Sequence, residues 1–227
     1  MQCDTILFDI NETVLDLSPL KSKFKAAFGT ESAVSIWFSM LLHSACVCAL
    51  TGVKTNFAIL AGTMLDAVAQ RLGIELSDIE RNDILNAFAR LPPHADIKPA
   101  LSRLRFAGYS TVAFSNSSLD LIATQLEGAG LSNYFDEVIS VEEAGSFKPD
   151  RKVYNFGARR IGRPIETLRL VAAHDWDTHG ALTAGMKAAY INRTGAPYHA
   201  QYRQPEITAT TMGGIVEQIL THDGVKI

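Results

Sequence analysis

The stretch Thr5-Ile6-Leu7-Phe8-Asp9-Ile10-Asn11-Glu12-Thr13 decides the fold. Its first four residues are apolar and β-favouring without alternation, the habit of a short parallel strand buried on both faces. An aspartate directly after such a strand stands at its carboxyl end, the edge where open α/β sheets collect ligands. A lone aspartate there is more often a cap or turn residue, so its weight depends on what the rest of the chain brings to that edge.

Beyond Thr13 the pattern turns helical from about residue 17 to 91. Phe57, Leu60, Met64, Leu65, Val68 and Leu72 recur at three-to-four spacing until Gly73 stops the run. Ser77-Asp78-Ile79-Glu80 reads as a capping box that opens a helix carrying Ile84, Leu85, Phe88 and Leu91, ended by Pro92-Pro93. After Pro93 helices and strands alternate. Helices are expected over 97–107, 119–128, 149–161 and 177–184, and strands over 111–114, 138–141, 168–172 and 187–191. The fold class is therefore α/β, a Rossmann-like parallel-sheet core built from residues 1–16 and 92–227 with a helical insertion over 17–91.

The composition is globular, with 47% hydrophobic and 20% charged residues among 227. The net charge of −3, from 21 basic and 24 acidic residues well mixed along the chain, leaves no field for a nucleic acid or an anionic membrane and favours a small-molecule partner. Cys3, Cys46 and Cys48 are odd in number and unsuited to a disulfide framework, which predicts reduced thiols and a cytoplasmic location without an export signal. Residues 32–53 carry no formal charge and are long enough to span a bilayer, but Ser35, Ser39, His43, Ser44 and Thr51 interrupt them. A helix packed between domains, or between the subunits of a homodimer, is expected there.

Four polar clusters fall at predicted strand ends or just beyond them: Asp9 with Asn11 and Thr13, Ser115 with Asn116, Lys148, and 174–177 from His174 to Asp177. Strand ends of a parallel sheet share one edge, so these groups can converge. A carboxylate nucleophile must be held ionised and aimed; a neighbouring cation such as Lys148 lowers its pKa, and Thr13 can orient it. A histidine ordinarily titrates near neutrality, so His174 can either activate a water or plug a loop as a hydrogen-bonded structural residue.

The motifs resemble those of the haloacid dehalogenase superfamily, and within it the L-2-haloacid dehalogenase (type II) group. Phe8-Asp9-Ile10-Asn11-Glu12-Thr13 is similar to the first motif, Phe114-Ser115-Asn116-Ser117 to the second, and Phe147-Lys148-Pro149-Asp150 with Val153-Tyr154 to the third. Ala172-Ala173-His174-Asp175-Trp176-Asp177 with Gly180-Ala181 is similar to the fourth, and Ile191-Asn192-Arg193-Thr194-Gly195 also fits the type II group. The resemblance implies that Asp9 displaces halide from C2 of a short 2-haloacid, and that water hydrolyses the resulting ester without metal or organic cofactor. It also implies that Ser115 and Asn116 hold the substrate carboxylate, and that Asp177 with its neighbours positions the water. Trp37, Phe38, Phe57 and Trp176 would line a small apolar pocket, and Tyr154 joins the substrate-binding set.

Three departures matter. The type II arginine that follows a cap tryptophan is Phe38 here, the tyrosine two residues after the nucleophile is Asn11, and a serine and an asparagine of the fourth motif are Ala172 and His174. Asn11, Trp37, His43 and His174 are the candidates to stabilise the departing halide. A Mg²⁺-dependent phosphatase of the same superfamily is the rival enzyme. Its general-acid aspartate is Asn11 here and its early fourth-motif aspartate aligns with Ala173, leaving Asp175 as a displaced ligand. A third reading is a non-catalytic protein that binds a small carboxylate.

Overall fold

The computed structural model describes residues 3–224. Strand β1 (Thr5–Phe8) sits mid-sheet, paired in parallel with β2 (Ser110–Ser115) on one side and β4 (Leu168–Ala172) on the other. Strand β3 (Glu137–Ser140) lies beyond β2, while β5 (Lys187–Ile191) and β6 (Ile207–Ala209) lie beyond β4, giving the order β3-β2-β1-β4-β5-β6. Strand order reverses at β1, so a crevice opens past its carboxyl end, between the ends of β2 and β4. Asp9 is the first residue into that crevice.

Four helices, α1 (Leu20–Phe28), α2 (Ala33–Thr51), α3 (Phe57–Leu72) and α4 (Asp78–Phe88), intervene between β1 and β2 and pack on one another. Local chemistry sets their ends. Asn56 accepts from the Ile59 amide to start α3, Gly73 stops it at φ 66°, and Ser77 with Glu80 closes the expected capping box on α4. The chain leaves and re-enters the sheet side by side: Leu15 bridges Pro93, the Asp16 amide donates to the Pro92 carbonyl, and the His94 amide donates to that of Val14. The remaining helices are α5 (Ile97–Phe106), α6 (Leu119–Gly128), α7 (Arg151–Ile161), α8 (Asp175–Ala184) and α9 (Met212–His222).

The uncharged stretch 32–53 is α2, long and apolar enough by length and composition to cross a membrane. Trp37, Phe38, Leu41 and Ala45 form its buried stripe, and Ile36, Val47 and Leu50 face outward. Two elements escape the sequence pattern, β6 and α9. A third is displaced by two residues, since α8 begins at Asp175 and so carries Asp177 in its first turn.

Arg169, near the amino end of β4, is fully buried. It donates to both carboxylate oxygens of Asp223 at 2.7 and 3.1 Å and to Glu206 at 3.3 Å, while the Tyr109 hydroxyl donates to Asp223 at 3.0 Å. This pair ties the end of α9 to the sheet. Without Asp223 the buried guanidinium keeps only the longer contact to Glu206, so Asp223→Ala is expected to cost up to about 3–5 kcal/mol in urea unfolding, and the paired replacement Arg169→Met with Asp223→Leu much less.

Candidate active site

The Asp9 amide donates to the Val171 carbonyl at 3.0 Å, prolonging the β1–β4 ladder by one residue and fixing where the carboxylate leaves the sheet. Thr13 donates its hydroxyl to Asp9 Oδ2 at 2.7 Å and accepts from the Ala173 amide at 2.8 Å. Lys148 Nζ uses all three of its donors, on Asp9 Oδ1 at 3.2 Å, Asp177 Oδ2 at 2.8 Å and the Phe114 carbonyl at 2.8 Å. The Tyr154 hydroxyl donates to Asp177 Oδ1 at 2.6 Å. Both oxygens of Asp177 are thereby engaged.

These contacts set the charges. Burial works to raise the Asp9 carboxyl, but Lys148, His174 and Thr13 outweigh it and hold it well below the usual carboxylate range. Burial lifts the carboxyl of Asp177, the Lys148 charge opposes the lift, and the nearby Asp9 charge adds to it, so the net shift is upward. Burial would discharge Lys148; Asp177 and Asp9 overcome it and raise its pKa.

His174 caps α8 and lies between two carboxylates. Its Nε2 is 2.8 Å from Glu12 Oε2 and its Nδ1 is 3.4 Å from Asp9 Oδ2. The second contact lacks hydrogen-bond geometry, which leaves Nδ1 free for another partner. The ring stacks on Trp176 at 5.2 Å and lies 6.1 Å from Phe38. Burial alone would lower its pKa; the contacts with Asp9 and Glu12 reverse that and push it up to about 10, so the ring is an imidazolium at neutral pH.

Glu12 is a residue that sequence reasoning quoted within the first motif but left out of the site. It is the non-glycine residue with positive φ, at 64°, a conformation costing roughly 1–2 kcal/mol that local bonds must hold. The His94 ring meets the Glu12 carbonyl at 3.0 Å, and Arg193, clasped by both oxygens of Asp96, donates to the Thr13 carbonyl at 3.1 Å. The turn so held aims the Glu12 carboxylate at His174. Nothing in residue type alone signals this; the left-handed turn does.

A small cavity faces Asp9, lined also by Asn11, Phe38, Leu42, Phe57, Ser115, Asn116, His174 and Trp176. Its room of about 10 Å³ suits a single water. Ser115 Oγ accepts from the Ser117 amide and Asn116 Oδ1 from the Lys148 amide, so the Ser115 hydroxyl hydrogen and the Asn116 NH₂ remain to donate. Asn11 is steadied by donating to Ser117 Oγ at 3.3 Å and accepting from Gln125 at 3.1 Å.

Several expectations are corrected. Trp37 is fully buried away from the cavity and donates its indole N–H to the Ala61 carbonyl at 2.9 Å, packing against Phe24 and Phe88, so it is neither pocket lining nor a halide donor. Tyr154 does not line the cavity and instead pins Asp177. Asp177, with no exposed surface, holds Lys148 rather than a water. His43 is exposed on α2 and also outside the cavity. Leu42, unremarked in the sequence, lines it.

The residues present do not fit a Mg²⁺ site. Asp175 spends one oxygen on the Trp176 amide at 2.8 Å and the other on the His199 amide at 3.2 Å. Asp177 likewise has both oxygens spent, on Lys148 and Tyr154, so neither aspartate of the fourth motif is free to join Asp9 as a ligand.

The Asp9 charge is a principal reason for the His174 cation, so Asp9→Asn should bring the His174 pKa down from about 10 toward the ordinary histidine range, measured by NMR titration of the ring. A pKa raised in the folded state stabilises fully below the unfolded value near 6.5 and is lost as pH rises through about 10. Thermal stability should therefore fall over that window in the wild type and fall less in His174→Asn.

A model of the haloacid dehalogenase-like hydrolase family matches residues 3–172. An (S)-2-haloacid dehalogenase of Pseudomonas sp. (strain YL) is 27% identical over 221 residues, 96% of this chain and 95% of that protein. (S)-2-haloacid dehalogenase 1 of Pseudomonas sp. (strain CBS-3) is 30% identical over 195 residues, covering 84% and 85%. The solved L-2-haloacid dehalogenase of Xanthobacter autotrophicus with chloropropionic acid covalently bound superposes with a TM-score of 0.87 at 22% identity, over 96% of this chain and 98% of that one. With the family model spanning most of the chain and relatives aligned along nearly all of it, this protein belongs to the haloacid dehalogenase-like hydrolases.

Proposed function

We propose that this hydrolase removes halide from short (S)-2-haloalkanoic acids through an ester on Asp9. The observation that carries the reading is the ionised, buried Asp9, gripped by Lys148 on one oxygen and faced by the His174 cation on the other, at the wall of a cavity with free donors on Ser115 and Asn116. The curated relatives bearing that activity in their names support it. Asn11 has no acidic proton to give a phosphoester's leaving oxygen, whereas a halide leaves without one.

The closed cavity has room for about one water, so substrate enters as the lining side chains of the helical insertion, Phe38, Leu42 and Phe57, give way. In the first step the Ser115 hydroxyl and Asn116 NH₂ then hold the substrate carboxylate, and an Asp9 oxygen attacks C2. The C2–O bond forms as the C2–halogen bond breaks, the electron pair leaves with the halide, and C2 inverts. The His174 imidazolium supplies the positive charge that Phe38 does not. In the ester Asp9 is neutral, so a main support of the His174 cation is gone; the Nδ1 proton leaves to solvent with the halide, while Nε2 keeps its proton on the Glu12 carboxylate.

In the second step neutral His174 takes one proton from a water through Nδ1 while the oxygen adds to the Asp9 carbonyl carbon. The intermediate collapses, the water's other proton ends on the C2 oxygen of the departing 2-hydroxyacid, and Asp9 regains its charge. Haloacid and water thus become hydroxyacid, halide and a proton, with inverted configuration.

Halide release from chloroacetate and from each 2-chloropropionate enantiomer, measured in EDTA, tests this. Release favouring the (S)-enantiomer and abolished by Asp9→Asn is expected; release that required added Mg²⁺ would overturn it, and none at all would leave a carboxylate-binding protein. Glu12→Gln and His174→Asn are expected to slow ester hydrolysis by about 10²–10⁴-fold, so that a substrate-sized mass accumulates on the Asp9 peptide.

The same proposal places the enzyme in the cytoplasm, since Cys3, Cys46 and Cys48 are all unpaired, and as a homodimer across the outward face of α2. Ile36, Val47 and Leu50 are 42%, 41% and 88% exposed there. Light scattering should give twice the chain mass for the wild type and the chain mass for Val47→Glu with Leu50→Glu; a monomeric wild type would remove the dimer.

A further inference from the structure

A second cavity of about 360 Å³ adjoins the small one at Asp9, and Phe38 lines both. The two differ greatly in room, since the inner one holds about one water. One aromatic ring, 4% exposed, separates them on the cap side, with the Glu12–His174 pair beside it. The outer cavity offers an apolar wall from Leu17, Val34, Phe38 and Ala173, and its charges are balanced, Glu12 and Asp16 against Lys21 and Arg193. No net field favours an ionic guest, and the apolar wall suits an alkyl chain.

Another cavity of about 320 Å³ lies on the far side of Phe147. Phe57 does not line it, so that route is two rings thick, Phe57 backed by Phe147 at 6.5 Å. The thin wall is at Phe38.

We infer that the outer cavity is a tail subsite for 2-haloacids of about four to six carbons, and that Phe38 sets the chain-length limit by closing it. The inference rests on the dehalogenase reading for its reaction and for the placement of C2, and a binding measurement tests the subsite apart from turnover. With the carboxylate at Ser115 and Asn116 and C2 at Asp9, carbons beyond C3 must leave the inner cavity, and Phe38 is the wall with apolar space behind it. The wild type should therefore prefer two- and three-carbon acids. Opening the wall should admit the tail, each methylene buried being worth about fourfold.

The test compares wild type, Phe38→Leu and Phe38→Ala, with Val34→Trp added to the last to refill the outer cavity. Two ratios are read: kcat/KM for 2-bromohexanoate over bromoacetate, and the Kd of 2-hydroxyhexanoate over that of lactate by tryptophan fluorescence. Ratios cancel any general loss from removing a ring that packs on His174, and Phe38→Leu guards against a misfolded alanine variant. Expected is a shift of about tenfold or more toward the six-carbon acid in both ratios for Phe38→Ala, a smaller one for Phe38→Leu, and reversal by Val34→Trp. Unchanged ratios in both Phe38 variants, or a gain that survives Val34→Trp, would overturn the subsite. If the wild type releases no halide from bromoacetate the dehalogenase reading falls, while the Kd ratio still decides the subsite.

Discussion

Lys148 sits 1% exposed between Asp9 and Asp177, with its third N–H on the Phe114 carbonyl. A buried ammonium costs several kcal/mol unless its partners are arranged around it. Here they come from the ends of three strands, Asp9 after β1, the Phe114 carbonyl in β2 and Asp177 in the first turn of the helix after β4. The charge is therefore satisfied only when the sheet has its observed order, with β1 between β2 and β4. Fold and nucleophile depend on the same ion: two carboxylates share one cation, and burial with that sharing lifts Asp177 while Asp9 stays low. Tyr154 completes the division by donating to Asp177 and not to Asp9.

The parts of this arrangement were unequally legible. A four-residue apolar run followed by aspartate, two more strand ends with polar residues and a lysine before proline are statements about periodicity and position, and strand ends must meet in a parallel sheet. Direction within a helix is harder. Trp37 and Phe38 are neighbours on α2, about 100° apart, and both are buried; only the packing of α3 and α4 decides that the indole turns to Ala61 and the phenyl ring to Asp9. Tyr154 likewise reads as an aromatic near a site, but whether its hydroxyl meets a substrate or a carboxylate depends on the register of α7 against α8. The strand β6 is three residues long, too short to show a period at all.

Glu12 illustrates the remaining limit. A glutamate four residues past a strand is ordinary loop composition, and its role depends on a backbone conformation that glutamate seldom adopts. That conformation is imposed by His94, where the chain re-enters from the helical insertion, and by Arg193, beyond β5. The information that makes Glu12 a partner of His174 is thus held more than 80 residues away from it.

The replacement of the family arginine by Phe38 and the presence of His174 in the fourth motif are best understood as one change. A guanidinium can stabilise a departing halide but cannot shed its proton, so it can serve only the first step. An imidazolium whose proton is held by the nucleophile's own charge behaves differently. In the proposed mechanism the ring is a cation while Asp9 is ionised, as the leaving halide requires; once Asp9 is esterified the charge that sustained the cation is gone, and the ring becomes a base, as the water requires. The switch needs the other ring nitrogen to keep its proton, and Glu12, 2.8 Å from Nε2, holds it there so that Nδ1 is the nitrogen set free. An apolar residue at position 38 then becomes an advantage, because a fixed cation there would repel the imidazolium and lower its pKa before Asp9 had reacted.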